Sequence, residues 1–220
     1  MLCELNKELI RTFTQNTNPE NIGPMKAYMK GQYEYFGLKS PQRRALSKTY
    51  FDGIKGEPGF YQCVVELYDQ PERELHYVAM EAFYKCRRNW DDNALKQIHW
   101  LITTNSWWDT VDFLASNCLG HFLSKDPELA ARVAREWISS ENMWVRRSAL
   151  IFQLKYKDRL NQELLAYLIS QTNHEKEFFI KKAIGWALRQ HSRVYPEWVR
   201  HFVHNHELQP LSVREALKNI

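Results

Sequence analysis

Four stretches of this 220-residue chain share a shape and recur at a nearly fixed interval. They are ERELHYVAMEAF from Glu72, NSWWDTVDFLAS from Asn105, ENMWVRRSALIF from Glu141 and EKEFFIKKAIGWAL from Glu175, with starts roughly 33 to 36 residues apart. Each opens polar, sets an aromatic or large apolar pair early, and ends in small and aliphatic residues. That interval is the period of a helical-pair repeat. PELAARVAREWI and QELLAYLISQ lie between these stretches and read as the second helices of the pairs. One pair cannot bury its apolar face alone, so neighbours must stack into a solenoid whose groove is lined by the same helix of each repeat. NSWWDTVD, WVRRS and FFIKKAIGW then face one another across that groove.

Local signals agree with an all-α chain of about a dozen helices in one domain over 1–220. Asn18-Pro19, Ser40-Pro41 and Asp126-Pro127 each set a cap residue before a proline, whose missing N–H costs nothing in a first turn. Thr172-x-x-Glu175 and Ser212-x-x-Glu215 fit the reciprocal capping box. Apolar residues follow at spacings of three and four, as in Leu114, Cys118 and Phe122. With 8 Gly and 8 Pro, the chain is poor in the residues that many tight β-turns need.

Composition excludes several function classes. The four cysteines, Cys3, Cys63, Cys86 and Cys118, form no CxxC pair and read as small core residues of a reducing cytoplasm. His174, His191 and His201 lack ligand spacing and read as surface residues, so no metal or organic cofactor is expected. No stretch approaches the ~18 apolar residues of a membrane span. The net charge of +4 permits a polyanionic partner without demanding one.

The groove segments carry the candidate chemistry. In NSWWDTVD, Ser106 and Asp109 fit a capping box, which accounts for Asp109. Asp112 has no such explanation and lies one turn beyond Trp108 on the same helix face. Adjacent helical side chains point about 100° apart, so one of Trp107 and Trp108 is expected in the core and the other beside Asp112. WVRRS contributes Arg146 and Arg147; a guanidinium facing the groove suits phosphate, which it grips with two parallel hydrogen bonds. FFIKKAIGWALR sets Lys182, Trp186 and Arg189 at i, i+4 and i+7. Two cations bracketing an aromatic ring can hold a sugar–phosphate backbone, although a protein-binding scaffold can carry the same stripe.

The strings PMKAYMKGQYEYFGLKSPQRR, NSWWDTVD, MWVRRSALIFQLKYK, EFFIKKAIGWALRQHS and LSVREALK span most of the chain. Together they resemble, in order, the AlkD-type DNA alkylation repair family of HEAT-like-repeat DNA glycosylases. The resemblance implies a right-handed superhelical solenoid of HEAT-like helical-pair repeats, acting in the bacterial cytosol as a monomer. It implies excision of cationic N3- and N7-alkylated purines from double-stranded DNA, without cofactor and with the damaged base still stacked. By position, Asp112 matches the family's catalytic acid and Trp108 the tryptophan packed beside it. Trp186 matches the second tryptophan at the sugar and backbone, Arg147 the phosphate-binding arginine, and Tyr28 the N-terminal aromatic of the site. The alternatives are a non-catalytic HEAT-repeat module that only binds DNA, or a protein scaffold.

Overall fold

Helix starts set the frame. The computed structural model describes residues 3–220, and among them no strand forms beyond an isolated bridge between Glu34 and Glu72. The helices run α1 Glu4–Gln15, α2 Pro19–Tyr28, α3 Ser40–Leu46, α4 Lys48–Ile54, α5 Phe60–Tyr68 and α6 Arg73–Lys85. They continue as α7 Ala94–Thr103, α8 Trp108–Phe113, a π-helical stretch Leu114–Leu119, α9 Gly120–Leu123 and α10 Pro127–Ile138. The last are α11 Met143–Ile151, α12 Gln162–Thr172, α13 Phe178–Ser192, α14 Pro196–Asn205 and α15 Pro210–Ala216. The repeat seen in the sequence is sharper here. The helices α6, α8, α11 and α13 each begin 35 residues after the one before, the separation that also divides Asp112 from Arg147.

Two of the three Pro-associated starts form as the sequence predicts. Asn18 accepts from Glu20 N–H, and Asp126 accepts from both Glu128 and Leu129 N–H. Ser40 is instead the first residue of α3, after an extended Lys39. The capping boxes expected from spacing are not made. Thr172 closes α12 with its hydroxyl on Leu168 O, and Ser212 lies inside α15 with its hydroxyl on Lys181 O. In both, the hydroxyl has a nearby carbonyl to donate to, which competes with capping.

Contacts divide the chain into two compact units, one up to Asn93 and one over Ala94–Ile220. In the first, α5 packs on α6 and α1 crosses α3, α4 and α5. Glu74, fully buried, accepts the N–H groups of Phe36, Gly37 and Leu38 and so organises the loop before α3. Gly37 has φ of 83°, and a Cβ there would lie 2.1 Å from Asn18 O, so only glycine fits that loop.

In the second unit the inner helices α8, α11 and α13 lie in a row, α11 touching both neighbours, while α10 packs outside on α11 and α12. Leu114, Leu150, Ile151, Phe152, Ile180 and Leu188 are fully buried in its core. Each such side chain contributes roughly 1.5–3 kcal/mol by leaving water. Three cysteines, Cys63, Cys86 and Cys118, are buried thiols, and Cys3 is half-buried. His191 corrects the sequence reading: it is 2% exposed rather than superficial, its ring tilted against Tyr195 and edge-on to Trp198, with Nε2 against the Gln162 amide. Burial lowers its pKa and keeps it neutral. His174 and His201 are exposed.

Candidate active site

The polar residues ahead of the tryptophans turn the chain into the site. Ser106 donates to Ile102 O at the end of α7, and Asn105 takes the left-handed conformation, φ 47°, that asparagine tolerates. Trp107, extended, is then the residue before α8, and its own side chain does not cap that helix. Helix α8 therefore starts one residue later than the Ser106–Asp109 capping box needs, with Trp107 rather than Ser106 at the cap position.

Adjacent tryptophans diverge, but neither is in the core: Trp107 and Trp108 are both half-buried. Trp107 joins Trp144 and Phe179 in an aromatic cluster, with ring centroids 5.8 and 5.5 Å away and the other two 4.9 Å apart. Trp108 turns the other way and lines a cavity of about 270 Å³ with Asp112. Immediately after Asp112 and Phe113 the helix widens into the π-helical stretch. Ser116 and Asn117 donate side-chain hydrogen bonds to the carbonyls of Asp112 and Phe113, supplementing the backbone bonding where it changes pitch. Such π-helical turns are frequent at functional sites.

Among the described residues, Arg147 holds the Asp112 carboxylate. Arg147 donates Nε–H to Oδ1 at 2.8 Å and Nη2–H to Oδ2 at 2.9 Å, a two-pronged pair between equivalent positions of successive repeats. A third donor, Nη1–H, goes to Phe179 O. The Asp112 side chain keeps 17% of its surface exposed. Burial pushes its carboxyl above the usual aspartate range, and the Arg147 charge pulls against that shift.

Arg147 departs from the sequence expectation. It is 4% exposed, and all three described hydrogen bonds run inside the protein. Gripping a phosphate in the expected two-pronged way would require it to release Asp112. Arg146 faces elsewhere, paired with Glu175 through Nε and Nη2.

The opposite wall comes from α13. Lys182, Trp186 and Arg189 all border the cavity, as the i, i+4, i+7 spacing predicts. The two cations share one anion: Lys182 Nζ lies 2.9 Å from Glu215 Oε1 and Arg189 Nη1 lies 2.8 Å from Oε2. These contacts hold the Glu215 carboxyl below its usual range. Helix α15 can deliver Glu215 because α13 carries Gly185, where a Cβ would sit 2.5 Å from Glu215 Cβ and 2.9 Å from Ser212 O.

Six of the seven sequence-predicted site residues thus meet in one cavity: Trp108, Asp112, Arg147, Lys182, Trp186 and Arg189. Tyr28 belongs to the first unit. It is 71% exposed and borders a separate hollow of about 290 Å³ with Lys39, Tyr35 and Tyr77. Three further lining residues escaped the sequence reading: Glu215, Phe178 and Phe179. Glu215 had been assigned to a cap, and its signal was its place as the one acid in the basic run LSVREALK. Phe178, 54% exposed, falls three 35-residue steps after Arg73 and one after Met143, a register that only the refined period reveals.

Comparison with known proteins adds an independent line. The family model described as "DNA alkylation repair enzyme" matches residues 9–220. No curated protein matches the chain. A solved structure titled "Predicted DNA alkylation repair enzyme from Enterococcus faecalis" is similar, with 33% identity and a TM-score of 0.87. The match covers 93% of this chain and 96% of that one. The family match, nearly end to end, carries the conclusion: this chain belongs to the DNA alkylation repair enzyme family.

Proposed function

We propose that the cavity hydrolyses the N-glycosidic bond of cationic N3- and N7-alkylated purines, such as 3-methyladenine and 7-methylguanine, in duplex DNA. One observation carries this reading: a carboxylate oriented by two hydrogen bonds from Arg147 borders a cavity that two indoles, Trp108 and Trp186, also line.

Alkylation at N3 or N7 makes the purine a cation and a good leaving group. The glycosidic electron pair passes to the base, which departs neutral, and positive charge moves to the sugar. A carboxylate about 4 Å from that charge, at an effective dielectric near 20, stabilises it by about 4 kcal/mol. Realised in the transition state, this is roughly a thousandfold in rate. Water then attacks C1′ from the side the carboxylate orients, and the water's surplus proton passes to solvent. The indole faces favour the sugar cation over its neutral precursor.

Arg147 serves here as the clamp of Asp112. Its charge opposes the burial that pushes the carboxyl toward its neutral form, and its two prongs fix the orientation of the oxygens. Phosphate contact falls to Lys182 and Arg189, flanking Trp186. These groups suit the sugar and backbone of a lesion still in the stack, and such contacts carry little sequence preference.

Incubating the protein with methylated duplex DNA should release free 3-methyladenine or 7-methylguanine, identified by chromatography. Asp112→Asn keeps the shape of the side chain and one acceptor for Arg147, and should cut release about a thousandfold. Equal release by the variant would refute the assignment. Duplex binding with no purine release by the natural chain would favour a DNA-binding module without activity.

A further inference from the structure

Glu215 has a place that neither the cap reading nor the proposed chemistry explains. It borders the same cavity as Asp112, yet it sits against the two cations on the opposite wall, one carboxylate oxygen on each. It is not an incidental surface pair. Gly185 removes the side chain that would hold α15 away, Ser212 ties α15 to Lys181 O, and Glu215 itself is 9% exposed. The whole docking of α15 on α13 therefore delivers an anion to the point between Lys182 and Arg189, beside Trp186.

Two oxygens bridging two cations across a ring is also how a backbone phosphate would be held there. We propose that Glu215 is a resident stand-in for a DNA phosphate: it occupies the Lys182–Arg189 cation pair in the free protein and must share or yield that pair when a duplex binds. This rests on the DNA reading above and adds a specific consequence. With Glu215 in place, the approaching phosphate meets two cations less one anion, so undamaged duplex is held weakly. The contacts to the lesion's sugar at Trp108 and Asp112 then decide which sites are retained.

The test is duplex binding by the full chain, measured with a labelled undamaged duplex across a salt series. Glu215→Gln keeps the size and a hydrogen-bond acceptor but removes the charge. It should bind about tenfold more tightly at low salt, with a log–log salt slope steeper by about one, the increment of one more phosphate charge neutralised. Glu215→Asp keeps the charge and should retain the natural slope. In a Lys182→Ala/Arg189→Ala background, Glu215→Gln should leave the slope unchanged, a result that a general loss of packing would not give. If Glu215→Gln binds equally or more weakly while its slope is unchanged or shallower, the carboxylate is only a brace for α15 and the inference is overturned. A natural chain that fails to bind duplex sinks this inference together with the DNA reading. Tightening by Glu215→Gln without purine release from the natural chain supports the inference and removes only the glycosylase chemistry.

Discussion

In the proposed chemistry Asp112 acts only while it is charged, and its surroundings pull in opposite directions. Burial favours the neutral acid and Arg147 the carboxylate, with burial the stronger. Purine release should therefore fall as pH drops through a value above the ordinary 3.8 of aspartate, and a rate profile on methylated duplex reads that midpoint. A plateau extending unchanged to below 3.8 would argue against Asp112 as the acting group. Arg147→Ala removes the opposing charge and strands a mostly buried carboxylate. It should cost about 3–5 kcal/mol in stability, read by thermal unfolding, and move the acidic limb of the rate profile to higher pH. Loss of duplex affinity with an unmoved limb would restore Arg147 to the phosphate role. The sequence pointed to Asp112 and Arg147, because an acid one turn from a tryptophan and an arginine on the next inner helix are visible as strings. It could not show that the two face each other, since that depends on the sideways register of α8 against α11.

At the scale of helices, α13 and α15 form the most revealing pair. Gly185 sits inside α13, where alanine would ordinarily be favoured by about 1 kcal/mol. Here a Cβ would collide with Glu215 and with the Ser212 carbonyl. Gly185→Ala should therefore destabilise the protein by about 1–3 kcal/mol despite its better helix propensity, the range for overpacking, as thermal melts would show. A stabilised variant would mean that α15 moves aside freely. Glu215 supplies a pH test of the same contact. Its carboxyl is held below the ordinary 4.5, so its pairing with Lys182 and Arg189 stabilises the fold above that pH. That contribution is lost as pH falls from 4.5 through the lowered value, and Glu215→Gln should lack it. The periodic pattern made the helices legible. The caps were less so: Asn18 and Asp126 cap as predicted, while Ser106, Thr172 and Ser212 donate to carbonyls instead. None of these three falls at the cap position of its helix, and the residue at which a helix starts is not fixed by spacing alone.

For the molecule as a whole, a net charge of +4 is modest, so the proposed duplex binding would depend on where the cations are rather than how many there are. Affinity for duplex should fall steeply with salt, and Lys182→Ala/Arg189→Ala should flatten the log–log slope by about one, because Glu215 already offsets one of the two cations. An unchanged slope would move the phosphate contacts away from this cavity. The 35-residue step explains why so few residues suffice. It returns the chain to the same face of the next inner helix, so Asp112, Arg147 and Lys182 occupy equivalent positions of successive repeats. The sequence by itself determined the helices, their repeat and the strings that hold the acid, the tryptophans and the cations, because periodicity and residue type are local properties. Only the tertiary structure decided that Arg147 clamps Asp112, that His191 is core, and that Glu215 claims Lys182 and Arg189. Those pairings depend on distances between helices, fixed by steric features such as the missing Cβ at Gly185, and no spacing along the chain encodes them.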